Sequence, residues 1–342
     1  MKLSLDTSQL DFQHSLARML DAADTPSAVR AWARGEHGPG LAVWERAAAM
    51  DVFALATPEA YGGAGPLPVE LAVAFVELGR YAAPGPFVET VAAAALLSRL
   101  AERGAAAPAA AWLPRVRTGE ARVTLTLPGG SPYALDADVC DAVLAVAPGT
   151  DTLRLAAGHG PVRPSLDPAR RLARPGDGGE PLAAGPAVRE AAAYAADHAA
   201  FAVAAQALGV GCALLERTVA YVRQRTQFGS PVGAFQAVKH RLADTLVGLE
   251  FARPLVFGAA VALASGARSA PAEVAAAKAA ACDAAYAAAR TALQLHGAIG
   301  YTAEYDLSLW LGKARALRTA WGGPAECRAR ALELFPGRLF FE

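Results

Sequence analysis

The sequence predicts a mostly α-helical protein with a small β domain between two helical regions. Apolar residues recur at helical spacing from about Leu5 to Leu113. From Arg122 they occur in short runs that end at Pro or Gly, a pattern typical of strands and turns. Long helical patterns return at Ala187. The chain has 342 residues, and at about 150 residues per domain this length favours more than one domain.

We therefore divide the chain into three predicted parts. These are an N-terminal helical domain (1–120), a reduced β domain with an irregular linker (121–186) and a C-terminal four-helix bundle (187–342). In the first part, the segment DTSQLDFQHSLARML begins with residues that favour a helix N-terminus, and PVELAVAFVELGRYAA repeats the helical spacing. Both segments are predicted helices.

The predicted β domain contains the segments RVTLTLPGG, VCDAVLAVAPG and TLRLAAGHG. Each is a short apolar or alternating run closed by Pro or Gly, as expected for strands joined by turns. Residues 161–186 then form a stretch that is rich in Pro, Gly and Arg and has no period. We predict that this stretch is an irregular surface segment or linker.

Four helical patterns follow one another after Ala187, and their order predicts an up-down bundle. Gly209 and Gly211 begin like a dinucleotide-binding fingerprint. The third glycine is missing, however, and a helix rather than a strand precedes them. We predict that these glycines serve close helix packing.

Charge and composition argue against nucleic-acid binding, membrane binding and a metal site. Lys+Arg 32 and Asp+Glu 32 give a formal net charge of +0, which offers no attraction for nucleic acid or an anionic membrane. The N-terminus carries charges where a signal peptide needs an apolar core, so we expect a cytoplasmic protein with no membrane partner. The four cysteines are widely separated and have no metal-ligand spacing, and we predict no metal site.

The segment RQRTQFGSPVGAFQ places Arg225, Gln227, Phe228 and Gln236 around a Gly-Ser-Pro turn between two predicted helices. A guanidinium group can hold a pyrophosphate, a phenyl ring offers an apolar face, and an amide both donates and accepts hydrogen bonds. These residue types therefore suit a phosphate-containing ligand. The alternative is a polar turn between helices.

A second segment, LQLHGAIGYTAEY, places Gln294, His296, Gly297 and Ala298 at a helix end. Small residues there would allow a ligand to approach the backbone. The alternative is that Gly297 is an ordinary glycine cap at the end of a helix.

In this order and spacing, the segments resemble the acyl-CoA dehydrogenase family. The resemblance covers nearly the whole chain, through PEAYGGAGP, ELGRYAAPGPF, WLPRVRTGE, RQRTQFGSPVGAFQ and LQLHGAIGYTAEY. It implies an N-terminal helical domain, a middle β domain and a C-terminal four-helix bundle. It also implies FAD as cofactor and removal of two hydrogens from the α and β carbons of a CoA thioester.

The resemblance further implies that the arginine-aromatic turn and the Q-x-H-G-x-x-G corner of one subunit hold the pyrophosphate and adenosine end of a flavin bound by its neighbour. We call the residues assigned to FAD on this ground the bundle-end cluster. They are Arg225, Gln227, Phe228, Gln236, Gln294, His296, Gly297 and Ala298.

The family's catalytic glutamate has no counterpart at its expected position, where counting from Tyr301 gives Trp321. An indole cannot accept a proton, and Trp321 is expected to fill the vacated acyl pocket. Asp197 and His198 stand at the family's second location for the base, and we interpret them as a solvated or interface pair rather than a base. Glu89 is interpreted as a surface charge. No catalytic residue is assigned.

The segment that resembles the family's flavin loop is also reduced, to Thr126 through Ser131. The catalytic glutamate and the full flavin loop, which act on ligands bound by their own chain, are thus missing, whereas the residues that act on a neighbouring subunit are present. In this respect the sequence resembles the short subunit of heteromeric α2β2 bacterial sterol side-chain acyl-CoA dehydrogenases. The implied partners are a longer subunit that carries the glutamate, an acyl-CoA substrate and an electron-transfer flavoprotein. Two alternatives stay open: a self-sufficient homo-oligomer with a relocated base, and a flavinless structural or regulatory homologue.

Overall fold

The computed structural model describes residues 4–335. Its N-terminal part is helical. Asp6 caps the first helix, because its carboxylate accepts from the Gln9 backbone N–H at 2.9 Å and the Gln9 side chain accepts from the Asp6 N–H at 3.0 Å. The helices of this part are α1 (Thr7–Asp21), α2 (Thr25–Ala33), α3 (Gly38–Ala49), α4 (Pro68–Arg80), α5 (Phe87–Glu102) and α6 (Ala106–Arg117).

The β domain contains one four-stranded sheet and one two-stranded sheet. In the larger sheet the order is β1-β3-β4-β6, where β1 and β3 are parallel and the other neighbours are antiparallel. The smaller sheet pairs β2 with β5. The strands are β1 (Val123–Thr126), β2 (Ala134–Leu135), β3 (Ala142–Val146), β4 (Thr152–Leu155), β5 (Leu172–Ala173) and β6 (Glu180–Ala184).

The interpretation of residues 161–186 as an irregular linker is therefore wrong in part. The stretch supplies β5 and β6, and β6 closes one edge of the larger sheet. Pro181 lies within β6, and an edge strand tolerates proline because one side of the strand needs no ladder hydrogen bonds.

The C-terminal part returns to long helices, as predicted. After the first of them, a small hairpin of β7 (Thr226–Gln227) and β8 (Ser230–Pro231) reverses the chain. The helices are α7 (Pro186–Gln224), α8 (Gln236–Ala264), α9 (Ala270–His296), α10 (Leu307–Leu317) and α11 (Pro324–Leu334). The predicted fold class, mostly α with a small middle β domain and a C-terminal helical bundle, is confirmed.

Helix α7 is the centre of the core and packs against α4, α5 and α9. Close contact with α4 requires glycine: a Cβ atom at Gly209 would lie 1.9 Å from the Val76 carbonyl oxygen, and one at Gly79 would lie 2.0 Å from the Gln206 carbonyl oxygen. The predicted packing role of the α7 glycines is thus confirmed.

Within residues 4–335, two helices, α7 and α8, are long and apolar enough to cross a membrane by length and composition alone. The most apolar window of α7 is 94% buried inside the protein, so its composition is that of a core helix. The corresponding window of α8 is only 39% buried, so α8 presents apolar side chains outward.

Buried polar contacts join the three parts of the chain. Lys313 of α10 donates to the Ala83 carbonyl oxygen at 3.2 Å and lies 3.9 Å from the Asp167 carboxylate of the β domain. Thr90 of α5 donates to the Val123 carbonyl oxygen of β1 at 2.9 Å. These contacts fix the position of the cavity described next.

Candidate active site

A cavity of about 320 Å³ lies where all three parts of the chain meet. Its volume is near the lower end of small-molecule sites. Helix α5, the loops of the β domain and the end of α10 with the turn after it form the walls. The lining residues are Glu89, Leu125, Ser131, Tyr133, Leu135, Ser165, Leu166, Arg170, Leu172, Arg315, Ala316, Thr319, Ala320 and Trp321.

Trp321 stands in a tight turn between α10 and α11. Its φ is +56°, and the next residue, Gly322, has a φ of +109°, so two successive residues adopt positive φ values that favour glycine. The Trp321 Nε1 donates to the Glu89 Oε1 at 3.1 Å. The indole forms one wall of the cavity and leaves space beside it, so Trp321 does not close this cavity; that it occupies the family's acyl pocket stays a prediction.

Glu89 is not a surface charge, contrary to the sequence interpretation. It is 3% exposed and lies in the first turn of α5, where the helix dipole favours an anion. Arg170 places a guanidinium nitrogen 3.9 Å from the Glu89 Oε1. The second carboxylate oxygen, Oε2, is buried and has no hydrogen-bond partner.

Arginine side chains lie at two walls of the cavity. Arg170 of the β domain and Arg315 of α10 line it directly, while the guanidinium carbons of Arg163 and Arg174 lie 5.9 and 5.3 Å from the centre of the Tyr133 ring. The positive charge of these arginines is larger in magnitude than the negative charge of Glu89, the single carboxylate in the lining. The cavity therefore suits a ligand with an anionic group near the Tyr133 side.

The reduced flavin loop borders the same cavity. It turns at Gly129, where φ is +78°, and the Ser131 hydroxyl accepts from the Tyr133 backbone N–H at 3.1 Å. A Cβ atom at Gly130 would lie 4.0 Å from the Trp321 ring, so the loop passes close to the indole.

Asp197 and His198 lie next to each other in α7 but have different surroundings. Both are buried, so their interpretation as a solvated or interface pair is wrong. Asp197 binds Arg330 of α11 at 2.5 Å, whereas the His198 ring packs against Tyr194 with 4.4 Å between ring centres. Neither residue lines the cavity with Glu89 and Trp321.

Burial also governs the protonation of this histidine. Loss of solvent, together with the charge of Arg99, lowers the pKa of His198 to about 4. His198 is thus neutral at pH 7.

The bundle-end cluster is brought together at one end of the bundle. The Tyr221 hydroxyl, in the last turns of α7, donates to the His296 carbonyl oxygen at 3.4 Å, and Arg241 of α8 donates to the Gln294 side chain. Seven members of the cluster are exposed, and Phe228 is 94% exposed. None of the eight residues lines the cavity.

His296 differs from the rest of the cluster because it is buried. Its Nδ1 lies 2.8 Å from the Ala292 carbonyl oxygen, and its ring stacks on Tyr221 with 4.1 Å between ring centres. Gly297 ends α9 with a φ of +66°, as the glycine-cap interpretation predicts. His296 therefore supports the corner from inside, while Gln294, Gly297 and Ala298 face outward.

The family of the chain follows from comparison with known proteins. The model of the acyl-CoA dehydrogenase N-terminal domain matches residues 6–120, and that of the C-terminal domain matches residues 189–333. The chain belongs to the acyl-CoA dehydrogenase family. It is 35% identical over 307 residues to the acyl-CoA dehydrogenase IpdE2 of Mycobacterium tuberculosis, covering 89% of this chain and 90% of that protein.

Other known proteins are similar over nearly the whole chain. IpdE2 of Mycolicibacterium smegmatis is 31% identical over 94% of this chain and 96% of its own length. Among solved structures, the Tcur3481-Tcur3483 steroid ACAD G363A variant is 26% identical, with a TM-score of 0.82 over 96% of this chain and 97% of that chain. The ChsE4-ChsE5 complex from Mycobacterium tuberculosis shares the fold, with a TM-score of 0.82 at 24% identity over 99% of this chain and 100% of that chain.

As an acyl-CoA dehydrogenase, the chain is an oxidoreductase that acts on CH–CH bonds, and its cofactor is FAD. The side chains present fit this cofactor. At the bundle end, Arg225 offers a guanidinium group, the glutamines offer amides, and Phe228 offers a free ring face. At the cavity, the leucines and Trp321 provide apolar surface of the kind that a flavin ring system contacts.

Sequence reasoning missed Glu89 as a residue of this cavity. Its sequence context, FVETVAAAALL, contains the one signal that was available: a single ionisable residue in an otherwise apolar segment of the predicted helix. Such a residue is rarely buried without a partner. The partners, Trp321 and Arg170, are remote in sequence and become visible only in the fold.

Proposed function

We propose that this chain is one subunit of a hetero-oligomeric, FAD-dependent acyl-CoA dehydrogenase and completes the FAD site of a longer partner. In this proposal the partner carries the family glutamate. The substrate is a steroid-derived CoA thioester, the electrons pass to an electron-transfer flavoprotein, and the complex works in the cytoplasm.

The observation that carries the proposal is the exposure of the bundle-end cluster away from the chain's own cavity. His296 of the cluster packs against Tyr305, two residues before α10, and the cavity lies at the other end of α10, roughly 16 Å further along a helix of 11 residues. Arginine, glutamine and phenylalanine side chains exposed there are available to a ligand held by a neighbouring subunit. This arrangement supports a role in trans.

The occupant of the family glutamate position supports the second part of the proposal. Trp321 donates a hydrogen bond there and has no lone pair that can take a proton from a substrate. A complex that removes an α-proton with the family glutamate must therefore obtain that glutamate from another chain.

An apolar stripe on α8 supports the existence of a partner. Large apolar side chains are exposed along this helix, with Phe251 74% exposed at its centre. Contiguous exposed apolar surface of this kind marks a protein interface in a folded protein. The α8 stripe consists of Leu246, Val247, Phe251 and Leu255.

The relatives support the substrate class and the subunit composition. One solved relative is named a steroid ACAD with two components, and a second is a complex of two different chains. The relatives named IpdE2 match this chain over about nine-tenths of their length.

Flavin content tests the proposal. The chain is co-expressed with a longer family member that carries the glutamate, and FAD in the purified complex is measured by absorbance. Replacing Arg225 with Ala removes a charge-assisted contact and is expected to weaken FAD retention about tenfold or more. Arg268→Ala, an exposed arginine in the α8–α9 connection, is the matched control and is expected to retain FAD.

Two results would contradict the proposal. Full FAD content in the Arg225→Ala complex would remove the bundle-end cluster from the cofactor site. FAD bound stoichiometrically by the chain purified alone would show a self-sufficient enzyme instead.

A further inference from the structure

Arg30 of α2 binds the chain segment that leads from the bundle-end cluster into α10. Its Nη1 donates to the Asp306 Oδ1 at 2.6 Å, and its Nη2 donates to the Ala303 and Glu304 carbonyl oxygens at 3.3 and 3.2 Å. One guanidinium group thus serves three acceptors in residues 303–306, through a forked donor geometry that an ammonium group lacks. Helix α2 belongs to the N-terminal part of the chain, which supplies none of the bundle-end cluster.

The turn before this segment needs support from outside. Gly297–Tyr301, which we call the glycine turn, is a 3-10 helix of five residues, too short to be stable by itself. The backbone bond that closes it, from the Thr302 N–H to the Ile299 carbonyl oxygen, is 3.3 Å long. At its start, the Tyr221 hydroxyl makes an uncharged bond of 3.4 Å. Among these contacts, the bond from Arg30 is the shortest and joins two charged groups.

Asp306 makes this contact instead of capping α10. It is the residue just before the first turn of α10, where an aspartate side chain commonly accepts from the helix N–H groups. The Asp306 side chain makes no such bond, and its carboxylate binds Arg30. A local contact is thus replaced by one to a residue 276 positions away, and such departures from local rules are typical of functional regions.

We infer that Arg30 is a positioning residue for the cofactor that the partner subunit holds. The inference rests on the proposed function, because it takes the bundle-end cluster as part of the FAD site. Arg30 acts through residues 303–306, which fix the end of the glycine turn and so the exposed Gly297 and Ala298 at its start. The N-terminal part of this chain thereby determines how firmly the complex retains FAD, although the cluster lies wholly in the C-terminal part.

The first test measures FAD binding. The complex with a longer family member that carries the glutamate is stripped of FAD, and the dissociation constant is measured by flavin fluorescence as FAD is added back. Arg30→Met keeps an unbranched side chain and removes all three hydrogen bonds. We expect the glycine turn to keep its binding conformation in about a tenth of the molecules, so that the dissociation constant rises about tenfold.

A matched control comes from the end of the same helix. Arg34 is exposed and pairs with Glu36 at 2.7 Å, away from the glycine turn. Arg34→Met is therefore expected to leave the FAD dissociation constant unchanged. Arg30→Lys keeps a charge opposite Asp306 but cannot serve all three acceptors, and is expected to bring the dissociation constant back to within about threefold of the unaltered complex.

Hydrogen exchange distinguishes positioning from a general loss of stability. In the complex without FAD, Arg30→Met is expected to speed exchange of the backbone amides of residues 297–302 about tenfold, because this turn opens locally. The amides of α7 and α9 are expected to keep their rates. A merely structural role would raise exchange in these helices as well.

Two results would overturn the inference. One is an unchanged FAD dissociation constant in Arg30→Met while Arg225→Ala loses FAD, and the other is unchanged exchange of residues 297–302. Failure of the proposed function has a different signature. Arg225→Ala and Arg30→Met would then both retain FAD, the bundle-end cluster would lie outside the cofactor site, and the inference would fail with the proposal.

Discussion

Lys278 of α9, a fully buried lysine, donates from Nζ to the Gly322 carbonyl oxygen at 2.9 Å and to the Leu317 carbonyl oxygen at 3.2 Å. Leu317 ends α10, where carbonyl groups lack helical partners and the helix dipole favours a cation. The Lys278 ammonium group thus caps the C-terminal end of α10 and also fixes the turn that contains Trp321.

We predict that Lys278→Met destabilises the protein by roughly 2–4 kcal/mol, because the Gly322 carbonyl oxygen loses its ammonium donor and the Leu317 carbonyl oxygen keeps only the weak Cys282 thiol donor at 3.6 Å. The measurement is the free energy of unfolding from urea titrations with equal slopes. Lys239→Met, at an exposed lysine in α8, is the control and is expected to change stability by less than about 0.5 kcal/mol. Equal stability of the two variants would show that water replaces the ammonium group.

Ionisation of the buried Asp136 carboxyl is predicted to lower the free energy of unfolding as the pH rises. It is fully buried, its Oδ1 accepts from the Trp32 indole and the Arg171 backbone N–H at 3.2 Å each, and its Oδ2 has no partner. Burial raises the pKa of Asp136 to about 7, against the effect of these hydrogen bonds. The folded state therefore binds the Asp136 proton more tightly than the unfolded chain does. The resulting contribution to the free energy of unfolding is present below about pH 4 and is lost as the pH rises to about 7.

Asp136→Asn keeps an oxygen acceptor and cannot ionise. We expect it to be more stable than the unaltered protein at pH 8, by up to about 4 kcal/mol, and to lose that advantage at pH 4. Urea unfolding at both pH values measures the difference. A difference that does not change with pH would mean that the Asp136 carboxyl is solvated in the folded state.

His198 is predicted to have the opposite pH dependence. The pKa of His198 is lowered to about 4 by burial and by the charge of Arg99, whereas an unfolded histidine titrates near 6.5. The neutral ring thus contributes stability above about pH 6.5 that is lost as pH falls toward 4, about 3 kcal/mol in all. His198→Phe keeps the contact with Tyr194 and removes this titration, so its stability relative to the unaltered protein is expected to rise between pH 7 and pH 4. An unchanged difference over that interval would contradict the prediction.

Local pattern predicted much of this fold. The spacing of apolar residues changes at Arg122 and becomes helical again at Ala187. This spacing depends on which side chains face the core, and the buried residues of the structure show the same spacing. The short strands β5 and β6 were missed because the residues they pair with, in β2 and β4, lie 25 to 39 positions earlier in the chain. Strand β5 has only two residues and β6 contains Pro181, so neither carries an alternating pattern from which a strand could be predicted.

The sequence could predict where the bundle-end cluster lies in the chain but not the surroundings of Glu89. The cluster consists of short segments with distinctive residue order at predicted helix ends, and the structure has helix ends at those residues; their contact with FAD stays a prediction. Glu89, by contrast, acquires its partner from Trp321, 232 residues away, and its burial from the packing of α5 on β1. A glutamate in a helix predicts neither its depth nor its neighbours until the fold is known.

The α8 stripe leads to a prediction about assembly. Phe251 is 74% exposed at the centre of this stripe. If a partner buries the Phe251 ring, a charged side chain at this position would be buried in the interface and would weaken binding. Phe251→Asp is therefore expected to abolish co-purification of the longer subunit while the chain itself stays folded by circular dichroism. Leu332→Asp is the matched control, because Leu332 is an apolar side chain of α11 that is 62% exposed outside the stripe. Retention of the partner by Phe251→Asp, or its loss from both variants, would show that the partner does not bind specifically through α8.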